Sequence, residues 1–355
     1  MVEGDVFRVG LIGLGRVAWE LEQDPLRPKP CSHWGAWKER SDVRIAAGCD
    51  LDGDKRAAFA AANPGARVYA DYREMLAEAR LDLVSLCAYA DRRAEMVVQA
   101  AQSGVRGIWC EKAMASSLAE VRLIEETLAR TGVRMIVSFM RRWAPSYRKA
   151  TELLNAGAIG RPESVNAHFS SNMLHTGTHV FDVLRMWCGE VESVQGWLDE
   201  SSARSEDSGY RFQDGEDLMD FGGFGLLHFA NGVRATIQAG SKGYFRFELE
   251  VLGSRGMLRV GNSQQDLWQV APSRRYSGFK ELEPARFPPY PKVNMWRGAC
   301  DNLIEAVRGS NAPACGAADG GRALAIALAL HQSHREGNRP VAPGEVPLGL
   351  RVVSR

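Results

Sequence analysis

Over the first 140 residues, short runs of consecutive apolar residues alternate with stretches of helical periodicity. Five runs are almost continuously apolar and rich in β-branched or aromatic residues, which is typical of strands buried on both faces of a sheet. They are FRVGLIG (7–13), VRIAAGCD (43–50), LDLVSLCAY (81–89), GIWCEK (107–112) and RMIVSF (134–139). Helical stretches such as KRAAFAAAN and SSLAEVRLIEETLARTG separate them. This alternation predicts an α/β fold with a doubly wound parallel sheet, which binds ligands at the carboxyl ends of its strands.

After Arg142 the pattern changes to longer strands in which apolar and polar positions alternate. GFGLLHFANGVRATIQAG contains an Asn-Gly pair that suits a hairpin, and ESVNAHFS and RFELEVLGSRGMLRVG alternate in the same way. The pattern predicts an α+β domain with a largely antiparallel, open-faced sheet. We expect two domains, 1–140 and 141–355, and a homodimer or homotetramer formed through the open face. The polar, glycine-rich stretch 199–223 predicts a loop over the site.

Composition and charge narrow the class of partner. The chain has 355 residues, 45% of them hydrophobic and 25% charged, and a formal net charge of +1. This balance argues against a nucleic-acid or anionic-membrane partner and favours a small ligand that is neutral or weakly charged. The seven cysteines form no CxxC motif, which predicts buried thiols in a reducing compartment. Without a signal-peptide pattern or a membrane-length apolar run, we expect a cytoplasmic protein.

A glycine-rich turn follows the first predicted strand. GLGRVA (13–18) has the spacing G-x-G-x-x-A between a strand and a predicted helix, the context that a dinucleotide-binding motif requires. A first glycine permits the tight turn, a second lets the backbone approach a pyrophosphate, and a small third residue permits close helix packing, while the helix N-terminus attracts phosphate. The predicted cofactor-binding residues here are Gly13, Gly15, Arg16, Val17 and Ala18. A glycine-rich turn without a ligand is the alternative.

The second predicted strand ends at Asp50. A carboxylate there would accept hydrogen bonds from ribose hydroxyls and repel a 2′-phosphate, which predicts NAD rather than NADP. Asp50 lies further from the glycines than the usual interval of about 20 residues. We interpret the excess, DPLRPKPCSHWGAW, as a loop after the first helix. DLDGDK (50–55) lacks the glycine and the glutamate that a calcium loop requires, since Lys55 and Ala61 stand at those positions.

Further stretches occur in an order that resembles a known family. Glu111-Lys112 follows a parallel strand at the edge where a nicotinamide would lie, and FMRRWAPSYRKATELLNAGAIGRPESV and GTHVFDVLRMWCG come later. Over nearly its whole length the chain resembles the glucose-fructose oxidoreductase, inositol dehydrogenase and rhizopine-catabolism (Gfo/Idh/MocA) family. The resemblance implies a Rossmann domain that binds NAD and an oxidoreductase that acts on sugars, cyclitols or their derivatives. It also places Ala88, Glu111 and Lys112 against the cofactor.

The chain departs from the family's pattern at several positions. The family's Glu-Lys-Pro signature keeps its lysine at Lys112, and its Asp-x-x-x-His pair keeps its histidine at His179. The departures are Ala113 in place of proline, His175 in place of aspartate, and Ala88, Tyr89 and Arg93 in place of the threonine, proline and histidine of the third crossover. We expect these departures to affect the bend after the strand and the identity of the substrate more than the class of reaction.

The stretch HTGTHVFD (175–182) has three interpretations. If it is helical, His175, His179 and Asp182 share one face, but the climb of about 10.5 Å from the first to the third is too long for one metal ion. No glutamate lies between the histidines and no third ligand is evident, so no metal is predicted. Histidines bonded within a core are a second interpretation. The third is acid/base chemistry, because histidine titrates nearest neutral pH.

The resemblance assigns roles to these residues. His179 would be the acid/base, and Lys112 would polarise the reacting oxygen. His175 would donate to a neighbouring substrate hydroxyl or share the proton relay, and Asp182 would orient His179 or contact substrate. Arg142 would reach a sugar hydroxyl or carboxylate, with a solvated arginine as the alternative. A glycosidase that oxidises the sugar ring transiently with NAD and a sensor without catalysis are the other candidate functions, and retention of Lys112 and His179 argues against the sensor.

Overall fold

The computed structural model of the chain describes residues 6–202, 217–241 and 243–354. Residue contacts divide the chain into two compact units. Unit 1 comprises Met1–Trp143 with Val293–Gly321, and unit 2 comprises Ala144–Lys292 with Arg322–Arg355. Within the described ranges, none of the helices combines the length and the apolar character needed to cross a bilayer.

The sheet of unit 1 is parallel and six-stranded. Its strands are β1 Phe7–Ile12, β2 Val43–Cys49, β3 Arg67–Tyr69, β4 Leu83–Leu86, β5 Gly107–Cys110 and β6 Arg134–Val137. They lie in the order β3-β2-β1-β4-β5-β6, so the direction of winding reverses between β1 and β4. A ligand crevice forms outside the carboxyl ends of such strands at the point of reversal. The five predicted strands are confirmed. The sixth, β3, is not predicted from the sequence, because its three residues are too few to show a periodic pattern.

Helices connect these strands. In unit 1 they are α1 His33–Lys38, α2 Gly53–Ala62, α3 Tyr72–Glu78, α4 Ala90–Gln102, α5 Leu118–Thr131 and, from the later segment, α8 Met295–Arg308. In unit 2 they are α6 Pro145–Asn155 and α7 Thr178–Cys188, and α9 Ala317–Arg335 begins in unit 1 and continues into unit 2.

The residues after β1 do not begin an α-helix, so that prediction is wrong. Residues 16–19 form a turn, and only a 3₁₀ helix, Glu20–Gln23, follows. Pro25, Pro28 and Pro30 come next. Proline cannot continue a helix, because it lacks the backbone N–H and its ring clashes with the preceding turn. A dipole from a full helix is therefore not available to a phosphate at this turn.

The insertion before β2 is also more ordered than the predicted loop. It contains α1, whose N-cap is Ser32, with Oγ accepting from the N–H of Gly35 at 3.0 Å. The carboxylate of Glu22 accepts from the Ser32 hydroxyl at 2.6 Å and from the N–H of Cys31 at 3.0 Å. These bonds satisfy groups that the chain exposes between the 3₁₀ helix and α1. They place the buried face of α1 against the sheet.

The sheet of unit 2 is eight-stranded and largely antiparallel. Its strands are β7 Pro162–Ser170, β8 Val191–Asp199, β10 Gly222–Phe229, β11 Arg234–Ser241, β12 Phe247–Gly253, β13 Gly256–Gly261, β14 Gln265–Pro272 and β15 Lys280–Ala285. The order is β15-β14-β13-β12-β7-β11-β10-β8, and only the β7–β11 pair is parallel among these neighbours. Two short strands, β9 Leu218–Met219 and β16 Val352–Val353, pair separately. The predicted fold class and the Asn-Gly hairpin between β10 and β11 are confirmed.

The two faces of this sheet differ. Val165, Ala167 and Phe169 on β7 are buried on the face where α6 and α7 pack, and the alternating residues of the same strand are half-buried on the other face. Trp197 and Phe224 lie opposite each other on that second face, 40% and 39% exposed. The sheet therefore has the open face that the alternation predicts. All seven cysteines are free thiols. The prediction that they are buried is confirmed for six of them, and Cys87 is half-buried.

Candidate functional site

The loops after β1 and β4 meet at the point where the winding of the parallel sheet reverses. Gly13 has a φ of +85°, and a Cβ at this position would lie 2.9 Å from the backbone N of Ala88 and the carbonyl carbon of Cys87. Only glycine combines this left-handed conformation with so close an approach. The structure therefore brings two predicted cofactor residues, Gly13 and Ala88, into direct proximity.

The backbone at Gly15 faces open space. A Cβ added there would have the Nζ of Lys55 as its nearest neighbour, at 3.9 Å. Among the other residues of the turn, Arg16 is exposed, Val17 is half-buried and Ala18 is fully buried. The turn thus offers a backbone that a phosphate can approach, with a lysine beside it.

Asp50 lies at the carboxyl end of β2, beside this turn. Its Oδ2 accepts from the N–H of Leu14 at 2.7 Å, and its Oδ1 accepts from the N–H of Asp52 at 2.9 Å. Each carboxylate oxygen has a second lone pair for a ligand hydroxyl. The insertion lengthens the sequence interval from the glycines to Asp50 but leaves the aspartate beside the glycine turn, because the strands β1 and β2 pair directly.

These residues fit a dinucleotide. The open space at Gly15 and the lysine beside it suit a pyrophosphate, and the fixed carboxylate of Asp50 suits ribose hydroxyls. Gly15 and Lys55 would hold the phosphates, and Asp50 the adenosine ribose. When bound, the nicotinamide supplies hydride transfer.

Glu111 and Lys112 follow β5 at the same edge of the sheet. Glu111 is 6% exposed, and its Oε1 lies 3.1 Å from Nε2 of His33. Burial by itself raises the pKa of Glu111, but the hydrogen bond from His33 and the positive charges of Lys112 and Arg93 hold it below its ordinary value. Glu111 is therefore a buried carboxylate. Lys112 is half-buried, and the Lys112–Ala113 peptide bond is cis.

The helix after β4 carries a buried arginine at the position where the family resemblance predicts a histidine. Arg93 on α4 is 7% exposed, and its Nη1 donates to the carbonyl of Ala113. Tyr89, the residue before α4, is 52% exposed. The arginine thus joins the first turn of α4 to the backbone that follows Lys112.

The stretch HTGTHVFD is not one regular helix. His175 lies in a π-helical turn, Met173–Gly177, whereas His179 and Asp182 lie on α7. The N–H groups of Thr176 and Gly177 both bond the carbonyl of Asn172, each at 3.1 Å, which widens the turn. The regular spacing of four residues on one helical face therefore does not extend from His175 to His179. Both histidines are half-buried, and Asp182 is fully buried.

Asp220 holds the start of this stretch and was not singled out from the sequence. Its Oδ1 accepts from the N–H of Leu174 at 2.8 Å, and its Oδ2 accepts from the N–H of His175 at 2.9 Å and from the hydroxyl of Ser354 at 2.9 Å. Asp220 is 3% exposed and, with His175, lines a small pocket. It lies within the predicted loop 199–223, whose residues 203–216 are outside the described residues. Nothing in the local sequence signals a partner some 45 positions away.

His331 on α9 supports the same segment. Its Nδ1 donates to the carbonyl of Ala327 at 2.8 Å, so its Nε2 carries the lone pair that accepts from the N–H of Phe221 at 3.1 Å. In this tautomer the 3.7 Å separation between Nε2 and Oδ1 of Asp220 is not an ion pair. Burial lowers the pKa of His331 to about 4, which keeps the ring neutral at neutral pH.

Arg142 is engaged within unit 1. Its Nη1 donates to the carbonyl of Ala314 at 3.1 Å and its Nη2 to Oδ1 of Asp319 at 3.2 Å. These bonds give it a structural role, and substrate contact by Arg142 stays a prediction. Across the described ranges, no group of three or more His, Cys, Asp or Glu residues could hold a metal ion.

Known proteins resemble the chain along most of its length. Residues 7–139 match the model of the oxidoreductase family with an NAD-binding Rossmann fold, and residues 170–259 match the GFO/IDH/MocA C-terminal domain. Inositol 2-dehydrogenase 3 of Saccharopolyspora erythraea is 28% identical over 71% of this chain and 72% of that protein. D-apiose dehydrogenase of Paraburkholderia graminis is 30% identical over 64% of each.

A solved structure shares the fold. The WlbA dehydrogenase of Bordetella pertussis, solved with NADH and UDP-GlcNAcA, has a TM-score of 0.72 at 20% identity, covering 96% of this chain and 99% of that one. The glycine turn, the strand-end aspartate and Glu111-Lys112 lie within the first matched range, and the histidine stretch lies within the second. The chain belongs to the Gfo/Idh/MocA oxidoreductase family, with an NAD-binding Rossmann domain in unit 1 and the family's C-terminal domain in unit 2.

Proposed function

We propose that the protein is a dehydrogenase or reductase that transfers a hydride between NAD and a hydroxyl or carbonyl carbon of a sugar, a cyclitol or a related derivative. The names of its relatives, an inositol 2-dehydrogenase and a D-apiose dehydrogenase, support this class of substrate. The near-neutral composition of the chain suits an uncharged polyol.

One observation carries the proposal. Lys112 is the second residue after β5, at the edge of the parallel sheet where the glycine turn and Asp50 also lie. Glu111, which precedes it, is a buried carboxylate. A carboxylate beside a lysine favours the cationic form of that lysine electrostatically. Lys112 is therefore suited to polarise the reacting oxygen and to stabilise its developing negative charge.

His179 is the acid/base in this proposal. Oxidation of an alcohol requires a group that takes the hydroxyl proton as hydride leaves the carbon, and reduction requires the reverse. His179 is half-buried on the first turn of α7 and its Nδ1 is buried, so Nε2 is the nitrogen that exchanges the proton in this proposal. Asp182 is fully buried on the same helix, which favours an orienting role over direct contact with substrate.

His175 has the role of a substrate contact. It is half-buried in the π-helical turn and lines the small pocket beside Asp220. Asp220 fixes the backbone of His175 through a charge-assisted hydrogen bond at 2.9 Å, and Nδ1 of the ring lies 3.3 Å from the hydroxyl oxygen of Thr176. A neutral imidazole both donates and accepts, so it suits a hydroxyl next to the reacting carbon.

A substrate panel tests the proposal. Purified protein is incubated with NAD or NADP and with cyclitols, aldoses, uronates and aryl glycosides, and both the absorbance of reduced cofactor and aglycone release are recorded. We expect reduced cofactor with at least one polyol and NAD. Lys112→Met, which removes the charge and keeps the length, is the matched control. Aglycone release without net cofactor reduction would indicate the glycosidase instead, and cofactor binding without turnover on any substrate would indicate the sensor.

A further inference from the structure

His33 is a buried histidine that the proposed mechanism does not use. It lies in α1, inside the insertion between β1 and β2, and is fully buried. Its ring packs against Trp109 of β5 at an interplanar angle of 44°, with centroids 4.1 Å apart. Its Nε2 lies 3.1 Å from Oε1 of Glu111, and its Nδ1 lies 3.1 Å from Oγ of Ser85 on β4. The insertion therefore places a histidine ring beneath the edge of the sheet that carries Lys112.

The hydrogen bonds around His33 have a defined direction. An indole N–H can only donate, so Nε1 of Trp37 donates to Oγ of Ser85 at 2.8 Å. The hydroxyl proton of Ser85 can then be donated to Nδ1 of His33. A carboxylate only accepts, so Nε2 of His33 carries a proton and donates it to Glu111. The chain Trp37 to Ser85 to His33 to Glu111 thus satisfies every polar atom that it joins.

The other side of Glu111 is held by the residue that follows it. Oε2 of Glu111 accepts from the backbone N–H of Lys112 at 3.3 Å. Its carboxylate is therefore held between His33 and the backbone of Lys112. Arg93 contributes a further positive charge and donates to the carbonyl of Ala113, the next residue along. The backbone on each side of Lys112 is thus tied to groups in the interior of unit 1.

We infer that His33 is a positioning residue that fixes the carboxylate of Glu111 and, through it, the place and the charge of Lys112. This inference rests on the proposed role of Lys112 in the reaction. His33 contacts neither the lysine side chain nor the glycine turn in the bonds described above, so it acts through Glu111. The insertion that lengthens the path to Asp50 thereby contributes to the site.

Removing His33 has a physical consequence for Glu111. The charged or titratable groups that act on Glu111 are His33 of α1, Arg93 of α4, Lys112 and the thiols of Cys87 and Cys110. Burial opposes the charge of Glu111, and the hydrogen bond from His33 is the largest influence that favours it. Without that donor, Glu111 takes up a proton at a higher pH, and its negative charge beside Lys112 is lost over that range.

The test compares His33→Leu, His33→Gln and Trp37→Phe in the full-length protein. Gln retains an N–H donor, and Phe at position 37 removes the indole donor at the far end of the hydrogen-bond chain together with part of a buried ring. With a substrate identified by the panel, we expect His33→Leu to lose on the order of 10-fold to 10²-fold in kcat with little change in KM for NAD. In His33→Leu, the decrease of kcat on the acid side of the pH profile should occur at a higher pH than in wild type. His33→Gln should recover much of the loss, and Trp37→Phe should remain near wild type.

A second readout does not depend on turnover. Infrared difference spectra between pH 8 and pH 6, a range in which ordinary carboxyls stay almost fully ionised, should show an additional carbonyl band of a protonated carboxyl in His33→Leu, absent from wild type and from His33→Leu/Glu111→Gln. If His33→Leu does not fold, nitrogen-15 spectra of histidine-labelled wild type serve instead, with His33→Gln for assignment. We expect the proton on Nε2 of His33.

The outcomes separate the inference from the proposed function. A protonated-carboxyl band or a protonated Nε2 supports the arrangement even if no sugar is turned over, in which case only the proposed function fails. Unchanged kcat and an unchanged pH profile in folded His33→Leu would overturn the positioning role. A His33 whose Nε2 carries no proton would overturn the arrangement itself, since Glu111 would then have no donor on that side.

Discussion

The carboxylate of Asp50 accepts a hydrogen bond of 2.7 Å from the backbone N–H of Leu14, a residue 36 positions earlier in the chain. Leu14 stands between the two glycines of the turn after β1. The bond joins the residue proposed to select the cofactor to the turn proposed to hold its phosphates, and it does so across an insertion that contains α1. The two parts of the proposed cofactor site are therefore held together by a direct hydrogen bond.

Asp50 should make NAD bind more tightly than NADP. Its carboxylate accepts from ribose hydroxyls and repels a 2′-phosphate, so Asp50→Ala should narrow the difference in Kd by about tenfold or more. Fluorescence titration with both reduced cofactors measures it. Asp52→Ala is the matched control, because Asp52 lies in the same turn and caps α2 by accepting from the N–H of Asp54. Equal or tighter NADP binding to wild type would refute the assignment.

His179→Ala should lose on the order of 10²–10⁴ in turnover while the Kd for NAD stays near that of wild type. Removing an acid/base removes assistance to the transition state and leaves the phosphate site intact. Lys112→Ala should lose turnover to a similar extent. Steady-state kinetics, cofactor titration and melting temperature together check this. The core-histidine interpretation predicts a lower melting temperature with unchanged activity per folded molecule, and that result would exclude His179 from the chemistry.

His175→Asp restores the residue that the family's pattern has at this position. The variant should fold and keep some turnover, but its order of preference across the polyol panel should change, because a carboxylate accepts hydrogen bonds where an imidazole can also donate. Relative kcat/KM values across the panel measure this. His168→Asp on β7, a half-buried histidine elsewhere in unit 2, serves as the control. An unchanged order of preference would place His175 outside substrate contact.

The free energy of unfolding should decrease as the pH is lowered, because of His331. Its pKa is near 4 in the folded protein, owing to burial, against 6.5 for the free side chain. Between these values the unfolded chain binds more protons than the native one, so the free energy of unfolding decreases as pH falls from about 6.5 towards 4, by on the order of 3 kcal/mol at most. Urea unfolding at pH 7 and pH 5 measures this decrease.

His331→Gln should show a smaller decrease between pH 7 and pH 5 than wild type, since it removes the titrating ring. His228→Gln, on β10, is the control and should follow wild type. The same decrease in His331→Gln and wild type would mean that other groups account for the acid sensitivity.

The open face of the eight-stranded sheet should mediate self-association. Trp197 and Phe224 pack against each other there with ring centroids 5.7 Å apart and are both more than a third exposed. A charged side chain at position 224 would oppose burial of this face against a second subunit. Light scattering at micromolar concentration should show a dimer or tetramer for wild type and a smaller species for Phe224→Glu. Phe279→Glu, at a separate exposed position, is the control. A monomeric wild type would refute the prediction.

The sequence by itself determined the parallel strands, the glycine turn, the hairpin at Asn231-Gly232 and the placement of Asp50 and Lys112 at strand ends. These features depend on local periodicity and on turn chemistry, which act over a few residues. The order of the motifs along the chain also sufficed to identify the family. The three-residue strand β3 was missed because its pattern is too short, and the helix after Gly15 was wrongly predicted because the three prolines were assigned to a loop that followed it.

Only the tertiary structure decided which side chains meet. His33 bonds Glu111 across 78 positions, and Asp220 holds His175 across 45. Neither partner is marked by a local pattern, because a buried hydrogen bond depends on which strands and helices pack together and on the exclusion of water around them. The backbone at the start of the π-helical turn that contains His175 is likewise bound by a distant residue, Asp220.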